Sequence, residues 1–399
     1  MKKSLKKLTP AMTFIVMFGI VSMFSDITHE GAAGLYGAYL SLLGASAATI
    51  GFVSGLGELV GYSLRFVFGA LTDKTKKYWP MVVAGYVIDM VAVPMLALVG
   101  ENGWLFACMI LVIERMGKAI KKPAKNTLIS FAAYGEGVGK SFAIQEALDQ
   151  IGAFLGPVML YVVLLFKADV STFDAYTFAF AVLAVPAAIT LMLLLITKRK
   201  FPAPEKFEPP AKEKEPPFHI RRCFIFYLAA ISLFAFGFID FSLITMHVVR
   251  ADLLSDRVLP LLYAGAMLVD AVSALFFGWL YDRHGLKALI ASTLISAGFA
   301  VFVFGFHSLT AVAFGVMLWG VGMGAQESVL KAAVAGMVPK ANRAMGYGVF
   351  ECAFGVFWFL GSWLMGTLYD VSLTAMIVVS VTAQLLAMPL YAVATCTNQ

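Results

Sequence analysis

The fold class this sequence predicts is an all-α membrane protein with twelve transmembrane helices in two pseudo-symmetric six-helix bundles. Three observations predict it: apolar runs of spanning length, a proline- and charge-rich interruption at mid-chain, and a loop pattern that occurs twice. Of the 399 residues, 60% are hydrophobic and 14% charged, against roughly 25% charged in an ordinary soluble domain. A soluble chain of this length still needs a charged surface; a chain solvated by lipid does not. Ala11–Ser25, Met81–Val99, Val158–Phe166, Tyr176–Thr197, Phe224–Ile239 and Met376–Thr395 are nearly free of charge. A spanning helix needs about 20 mainly apolar residues, whereas barrel strands would alternate over segments of roughly ten, a pattern not seen here.

The spans fall at about 10–41, 46–69, 79–99, 104–132, 139–166, 172–197, 221–249, 258–279, 286–306, 309–336, 344–369 and 372–396. Span 1 is read as long because a break at His29–Gly31 would leave a second segment, from about Leu35 to Gly69, too long for one crossing. Basic residues crowd one set of loops: Lys2, Lys3, Lys6 and Lys7, then Lys74, Lys76 and Lys77, Lys198–Lys200, Arg221 and Arg222, Arg283 and Lys287, and Lys340 and Arg343. The opposite loops offer Lys167, Arg250 and Arg257. This bias predicts both termini in the cytoplasm and a multi-pass protein of the cell (plasma or inner) membrane. Met1–Pro10 is basic, but no small-residue cleavage site follows, so no cleavable leader is expected. Cys108, Cys223, Cys352 and Cys396 are isolated and read as buried thiols.

Residues 198–220 alternate proline with Lys and Glu and read as an extended cytoplasmic linker between halves at 1–197 and 221–399. The halves repeat. Gly69-Ala-Leu-Thr-Asp73-Lys74 matches Gly278-Trp-Leu-Tyr-Asp282-Arg283 at an offset of 209, and Phe154-Leu-Gly156 matches Phe359-Leu-Gly361 at 205. The second offset superposes Glu146 on Glu351 and Gly117 on Gly322. A parallel repeat of this kind places a solute site between the halves, near the bilayer midplane.

The loop Gly-x-Leu-x-Asp-(Arg/Lys), once after span 2 and again after span 8, resembles the signature of the major facilitator superfamily. The second copy continues through Gly285 and Lys287; in the first, Lys76 stands where a glycine is expected, so its turn should differ. Arg115-Met-Gly117 resembles that family's span-4 arginine motif. Gly152-Ala-Phe-Leu-Gly156-Pro157 partly resembles its span-5 antiporter motif, without the trailing glycine pair. The resemblance covers the whole chain and implies alternating-access transport. It also implies that Gly69, Asp73, Lys74, Gly278, Asp282 and Arg283 act as switch loops.

Charged groups at the bilayer centre cost about 2.5–3.5 kcal/mol each on insertion scales and need a reason to be there. In span 4, Glu114, Lys118, Lys121 and Lys125 share one helical face, flanked by Arg115 and Lys122. Either span 4 ends near Gly117 and the lysines are cytoplasmic, or the stripe faces a cavity as a basic wall suited to an anion. Glu146 and Asp149, adjacent on span 5, either neutralise those lysines or take up a proton. Asp26, His29 and Glu30 on span 1 are candidates for proton transfer, and Asp240 and His247 lie on its counterpart, span 7. Asp/His/Glu also suits a divalent cation, although no metal ligand is assigned. Glu58 and Arg65 share a face of span 2, and Glu327 occupies the position of Lys122 in the second half, which would polarise the cavity. Glu327 and Asp240 join the span-4 basic groups as candidate solute contacts.

These readings converge on a monomeric secondary transporter for a small anionic or zwitterionic organic solute, coupled to protons, with a leaning towards efflux. The alternatives are an amphiphile or lipid flippase and a divalent metal transporter. The sequence contains no phosphate-binding GxxxxGK[ST] loop and no convincing nucleophile–base set, so neither ATP coupling nor an enzyme is expected, and neither a cofactor nor nucleic acid is implied.

Overall fold

The computed structural model describes residues 8–134, 136–167, 169–207, 222–338 and 343–394. Among them are helices and no strand, and the helices group into twelve spans. Span 1 is α1 (Pro10–Ala33) continued by α2 (Tyr36–Leu42); α3 (Ala47–Thr75) and α4 (Tyr78–Met95) are spans 2 and 3. Spans 4 and 5 are α5 (Trp104–Ala133) and α6 (Val138–Leu165), and span 6 is α7 (Thr172–Val182) with α8 (Ala184–Lys200). The second half repeats the scheme. Span 7 is α9 (Arg222–Gly237) with α10 (Phe241–Arg250), span 8 is α11 (Leu259–His284), and span 9 is α12 (Lys287–Ser296) with α13 (Phe299–Gly305). Spans 10 to 12 are α14 (Leu309–Met337), α15 (Arg343–Val371) and α16 (Leu373–Val393).

Eleven of these spans are long and apolar enough to traverse a membrane by length and composition. The exception is α5, whose charges lower its hydropathy. It is nonetheless one unbroken helix of 30 residues, so the reading that ends it near Gly117 fails. Span 1 likewise runs helically past His29 to Ala33.

The ends follow local chemistry. Thr9 accepts the Met12 amide at 3.0 Å, ahead of a proline in the first turn of α1. The two repeated loops end their helices on a positive φ, 55° at Lys76 and 59° at Gly285. Their ψ angles are 20° and −140°, so the turns do differ: lysine accepts the ordinary left-handed well, and only glycine reaches the other.

Close helix pairs are built on glycine. A Cβ on Gly152 would meet the Met23 carbonyl oxygen at 2.3 Å, and one on Gly156 would meet the Ile27 oxygen at 2.4 Å. This small-xxx-small stripe lets α6 lie against α1, a packing role for the segment that resembles an antiporter motif. The halves meet along α3 and α15, along α6 and α11, and at α2 and α10. A Cβ on Gly37 of α2 would sit 1.7 Å from the Ser242 oxygen of α10, at the end opposite the chain termini. Arg250 also ties that end together, donating to Ser41 Oγ at 3.0 Å and to the Ala45 carbonyl at 3.2 Å.

Two expectations are corrected. The linker's first part is not extended: Pro204–Phe207 forms a short 3-10 turn, and Phe201 and Phe207 pack on Phe14, with ring centroids 5.4 and 6.4 Å away. Aromatic burial there outweighs the local proline content; 208–221 lie outside the described residues. Cys108 and Cys352 are free, but Cys223 is disulfide-bonded. A fold can join distant cysteines without a CxxC spacing; Cys396 lies outside the described residues.

Candidate functional site

Spans 3 and 4 approach through paired glycines. A Cβ on Gly85 would meet the Gly117 oxygen at 2.7 Å, and one on Gly117 would meet the Asp89 amide nitrogen at 2.8 Å. This backbone contact brings Asp89 of α4 beside Glu114 and Lys121 of α5. His29 of α1 closes the group.

The cluster is buried: His29 is 1% exposed, Asp89 0%, Glu114 1% and Lys121 7%. His29 Nε2 lies 2.8 Å from Asp89 Oδ2, and Nδ1 lies 3.0 Å from Glu114 Oε1. The second contact is close in distance but off the line of a hydrogen bond, and Asp89 Oδ1 also has no partner. Lys121 Nζ binds Asp89 Oδ2, donates to Ser25 Oγ at 2.9 Å, and lies 4.0 Å from the centre of the Tyr86 ring. Lys118 Nζ is 2.9 Å from Glu114 Oε1, and Arg115 Nη1 is 2.9 Å from Glu58 Oε1.

Within these contacts the charges pair one to one. Glu58, Asp89 and Glu114 supply three negative charges, and Arg115, Lys118 and Lys121 three positive ones. Breaking one such buried pair exposes an uncompensated charge, typically at about 3–5 kcal/mol. A neutral imidazole has one N–H and can donate to only one of its two carboxylates; an imidazolium can donate to both. To use a second N–H the ring would have to turn Nδ1 onto Glu114, and the Lys121 ammonium lies 3.4 Å from Nε2.

The stripe on α5 is thus real, but it is not a bare basic wall, because each buried lysine has an acid within reach. Lys125 pairs with Asp149 at 3.5 Å, while Lys122 is exposed. Glu146 is exposed and accepts from Gln150 Nε2 at 3.4 Å, so of the span-5 acids it is Asp149 that reaches the lysines. Asp26 is half-buried next to Gly152. Glu30 accepts from Tyr263 of α11 at 2.5 Å, which links span 1 to the second half. Gln150 links the halves again by donating to Asp270 at 3.3 Å.

Other expectations change. Asp240 caps α10 by accepting the Ser242 amide at 2.9 Å, at the break in span 7. A carboxylate preceding a new helix turn is an N-cap first. Arg115, not Arg65, partners Glu58; the Arg65 guanidinium lies over the Tyr62 ring at 4.6 Å. His247 sits near the far end, 3.0 Å from the Tyr369 hydroxyl. In the loops, Asp73, Lys74, Asp282 and Arg283 are exposed, Gly69 and Gly278 are half-buried, and Arg283 lies 4.1 Å over Trp279. The Glu327 side chain lies outside the described residues.

Sequence reasoning missed Asp89, Ser25 and Tyr86. Asp89 carried a signal: it is a lone acid in an otherwise uncharged span, and an intramembrane carboxylate is a functional candidate by default.

His29, Asp89 and Glu114 also present donor atoms within 4.8 Å of one another, a spacing that suits a divalent cation. Lysine ammonium groups already rest on the same two carboxylate oxygens, Lys121 on Asp89 and Lys118 on Glu114. A metal would have to displace them.

The comparisons agree with this architecture. The family model described as Major Facilitator Superfamily matches residues 8–253 and 228–395, and the chain belongs to that family of membrane transporters. It is 37% identical to an uncharacterized protein of Mycobacterium tuberculosis over 95% of this chain and 92% of the relative. It is 26% identical to an uncharacterized MFS-type transporter of Methanocaldococcus jannaschii, over 90% and 89%. Among solved structures it resembles a bacterial homolog of the human lysosomal transporter Spinster in an inward-facing conformation, with TM-score 0.74, 12% identity and coverage of 98% and 100%. It also resembles the D-xylose-proton symporter, with TM-score 0.66, 14% identity and coverage of 96% of each chain. At these identities the structural likeness is one of fold.

Proposed function

We propose that this transporter couples a proton to the movement of a small organic anion, with His29 as the proton's main binding site. The observation that carries the reading is the placement of one imidazole between two carboxylates in an otherwise charge-balanced buried network. A proton entering this network leaves one positive charge too many. A solute bearing one net negative charge restores the balance, so each ligand strengthens binding of the other. Lys118 and Arg115, half-buried at the rim of the cluster, are the groups positioned to exchange a carboxylate for the solute's own. The six-plus-six arrangement supports alternating access about this centre, and closure of α2 on α10 supports a state opening toward the terminal side. With the termini cytoplasmic, as the loop charges predict, that side faces the cell interior of a plasma or inner membrane.

The test is counterflow in proteoliposomes against panels of organic anions, cations and divalent metals, with and without an imposed pH gradient. Accumulation of an anion driven by the gradient supports the reading; transport indifferent to pH contradicts it. Because Gly152 and Gly156 serve packing, efflux or uptake is read from the sign of this accumulation. The His29–Asp89–Glu114 set favours divalent cation transport as a second reading. Saturable movement of Mn2+ or Zn2+ that competes with protons would select it.

A further inference from the structure

We infer that the solute is amphiphilic: its anionic group faces the N-terminal half, and a bulky apolar or ring-bearing body lies against the C-terminal half. This rests on the proton-coupled anion reading above and adds the class of solute. The internal repeat carries the argument. At the offset of 205 that superposes Gly117 on Gly322, the four α5 positions of the buried cluster have uncharged counterparts on α14, while the exposed Lys122 is matched by Glu327. Glu114 becomes Trp319, Arg115 becomes Gly320, Lys118 becomes Met323 and Lys121 becomes Gln326. The same backbone frame therefore carries ion pairs in one half and rings, sulfur and an amide in the other.

The rings are continuous. Trp319 lies 5.7 Å from Phe238, Phe238 lies 5.8 Å from Trp358, and Trp358 lies 5.3 Å from Phe354. Tyr62 of α3, 5.3 Å from Phe354, carries the row across the seam into the charged half. Trp319 spends its N–H on the Ile239 carbonyl, exposed by the break in span 7, at 3.0 Å. Trp358 does not: its Nε1 is buried without a partner, and so is the Gln326 amide nitrogen. Each side chain is 5% exposed. Gln326 lies one turn along from Gly322, whose added Cβ would meet the Phe238 ring at 2.8 Å, which puts it on the face of α14 turned towards the aromatic row. Buried indole and amide donors normally find acceptors, and two left open beside an apolar wall suit a ligand with a flat body and an acceptor atom. Met323 adds an adaptable surface where α5 has Lys118.

The experiment is equilibrium binding to the full chain in nanodiscs with three probes: lactate, 4-phenylbutyrate and the neutral 4-phenylbutanol. The expected result is that 4-phenylbutyrate binds at least about tenfold more tightly than lactate, as burial of a ring-sized apolar area requires. Trp358→Ala should remove most of that gap and leave lactate unchanged, while Trp358→Phe should keep most of it. Met323→Gln, which opens no large cavity and adds no charge, should weaken 4-phenylbutyrate selectively and guards against misfolding of the alanine variant. Equal affinity for the two carboxylates, or a gap that survives both Trp358→Ala and Met323→Gln, overturns the inference. Phenylbutanol binding as tightly as phenylbutyrate overturns its anionic half. Proton uptake on binding is read from the same titrations in two buffers. Its absence, with the aromatic preference intact, counts against the proton reading while the apolar wall stands.

Discussion

His29 meets Glu114 through Nδ1 at 3.0 Å, on the ring edge next to the Nε2 atom that lies 2.8 Å from Asp89. Helices α1, α4 and α5 each contribute one member of this set. The imidazole thus reports on the relative positions of three helices of one half. A shift of any one of these helices therefore moves a carboxylate relative to the ring.

Asp89→Asn should destabilise the protein more than Lys121→Met does on top of it. The single change strands the Lys121 ammonium in a site where it is 7% exposed, a loss of about 3 kcal/mol or more. Removing both charges should recover part of the stability. Thermal unfolding midpoints of the two single variants and the double variant in one detergent measure the coupling; strictly additive losses would show that the pair does not act as a unit.

Gly37→Val should hold the far side open. Its side chain would overlap the Ser242 carbonyl, which a glycine approaches closely enough to leave a Cβ only 1.7 Å of room. In that background, Thr245→Cys, at a position fully buried in the closed far side, should react severalfold faster with a membrane-impermeant maleimide. An unchanged rate would mean that α2 and α10 are not the closure.

Gly156→Leu should lower stability and transport together for every solute. The added atoms would meet the Ile27 carbonyl and the Gly31 amide, at 2.4 and 2.8 Å for the Cβ alone, and push apart the helices that hold His29. Overpacking of this kind costs about 1–3 kcal/mol. A variant of normal stability whose only change is the direction of transport would instead assign the segment to antiport.

The sequence made much of this legible, for reasons that can be traced. The stripe of Lys118, Lys121 and Lys125 could be read because helical period and membrane cost act on sequence spacing alone. The partners could not: whether Arg65 or Arg115 takes Glu58 depends on how α3 and α5 are rotated against each other, which the glycine contacts decide. Asp89 escaped notice because one acid barely alters the hydropathy of Tyr78–Met95. That Asp240 also caps a helix could not be read, because the break in span 7 leaves little trace in composition. The repeat offered more than a fold, since aligning α5 with α14 exposes a chemical asymmetry visible residue by residue.

The most direct test of the account compares wild type with His29→Gln in proteoliposomes that carry an imposed pH gradient. The side-chain amide preserves polarity in the cluster but takes up no proton near neutral pH. Solute counterflow at equal pH should persist in the variant, while accumulation against a gradient and the accompanying proton movement should vanish. Accumulation by His29→Gln at the wild-type level, with the same number of protons per solute, would contradict the assignment of His29 as the coupling site.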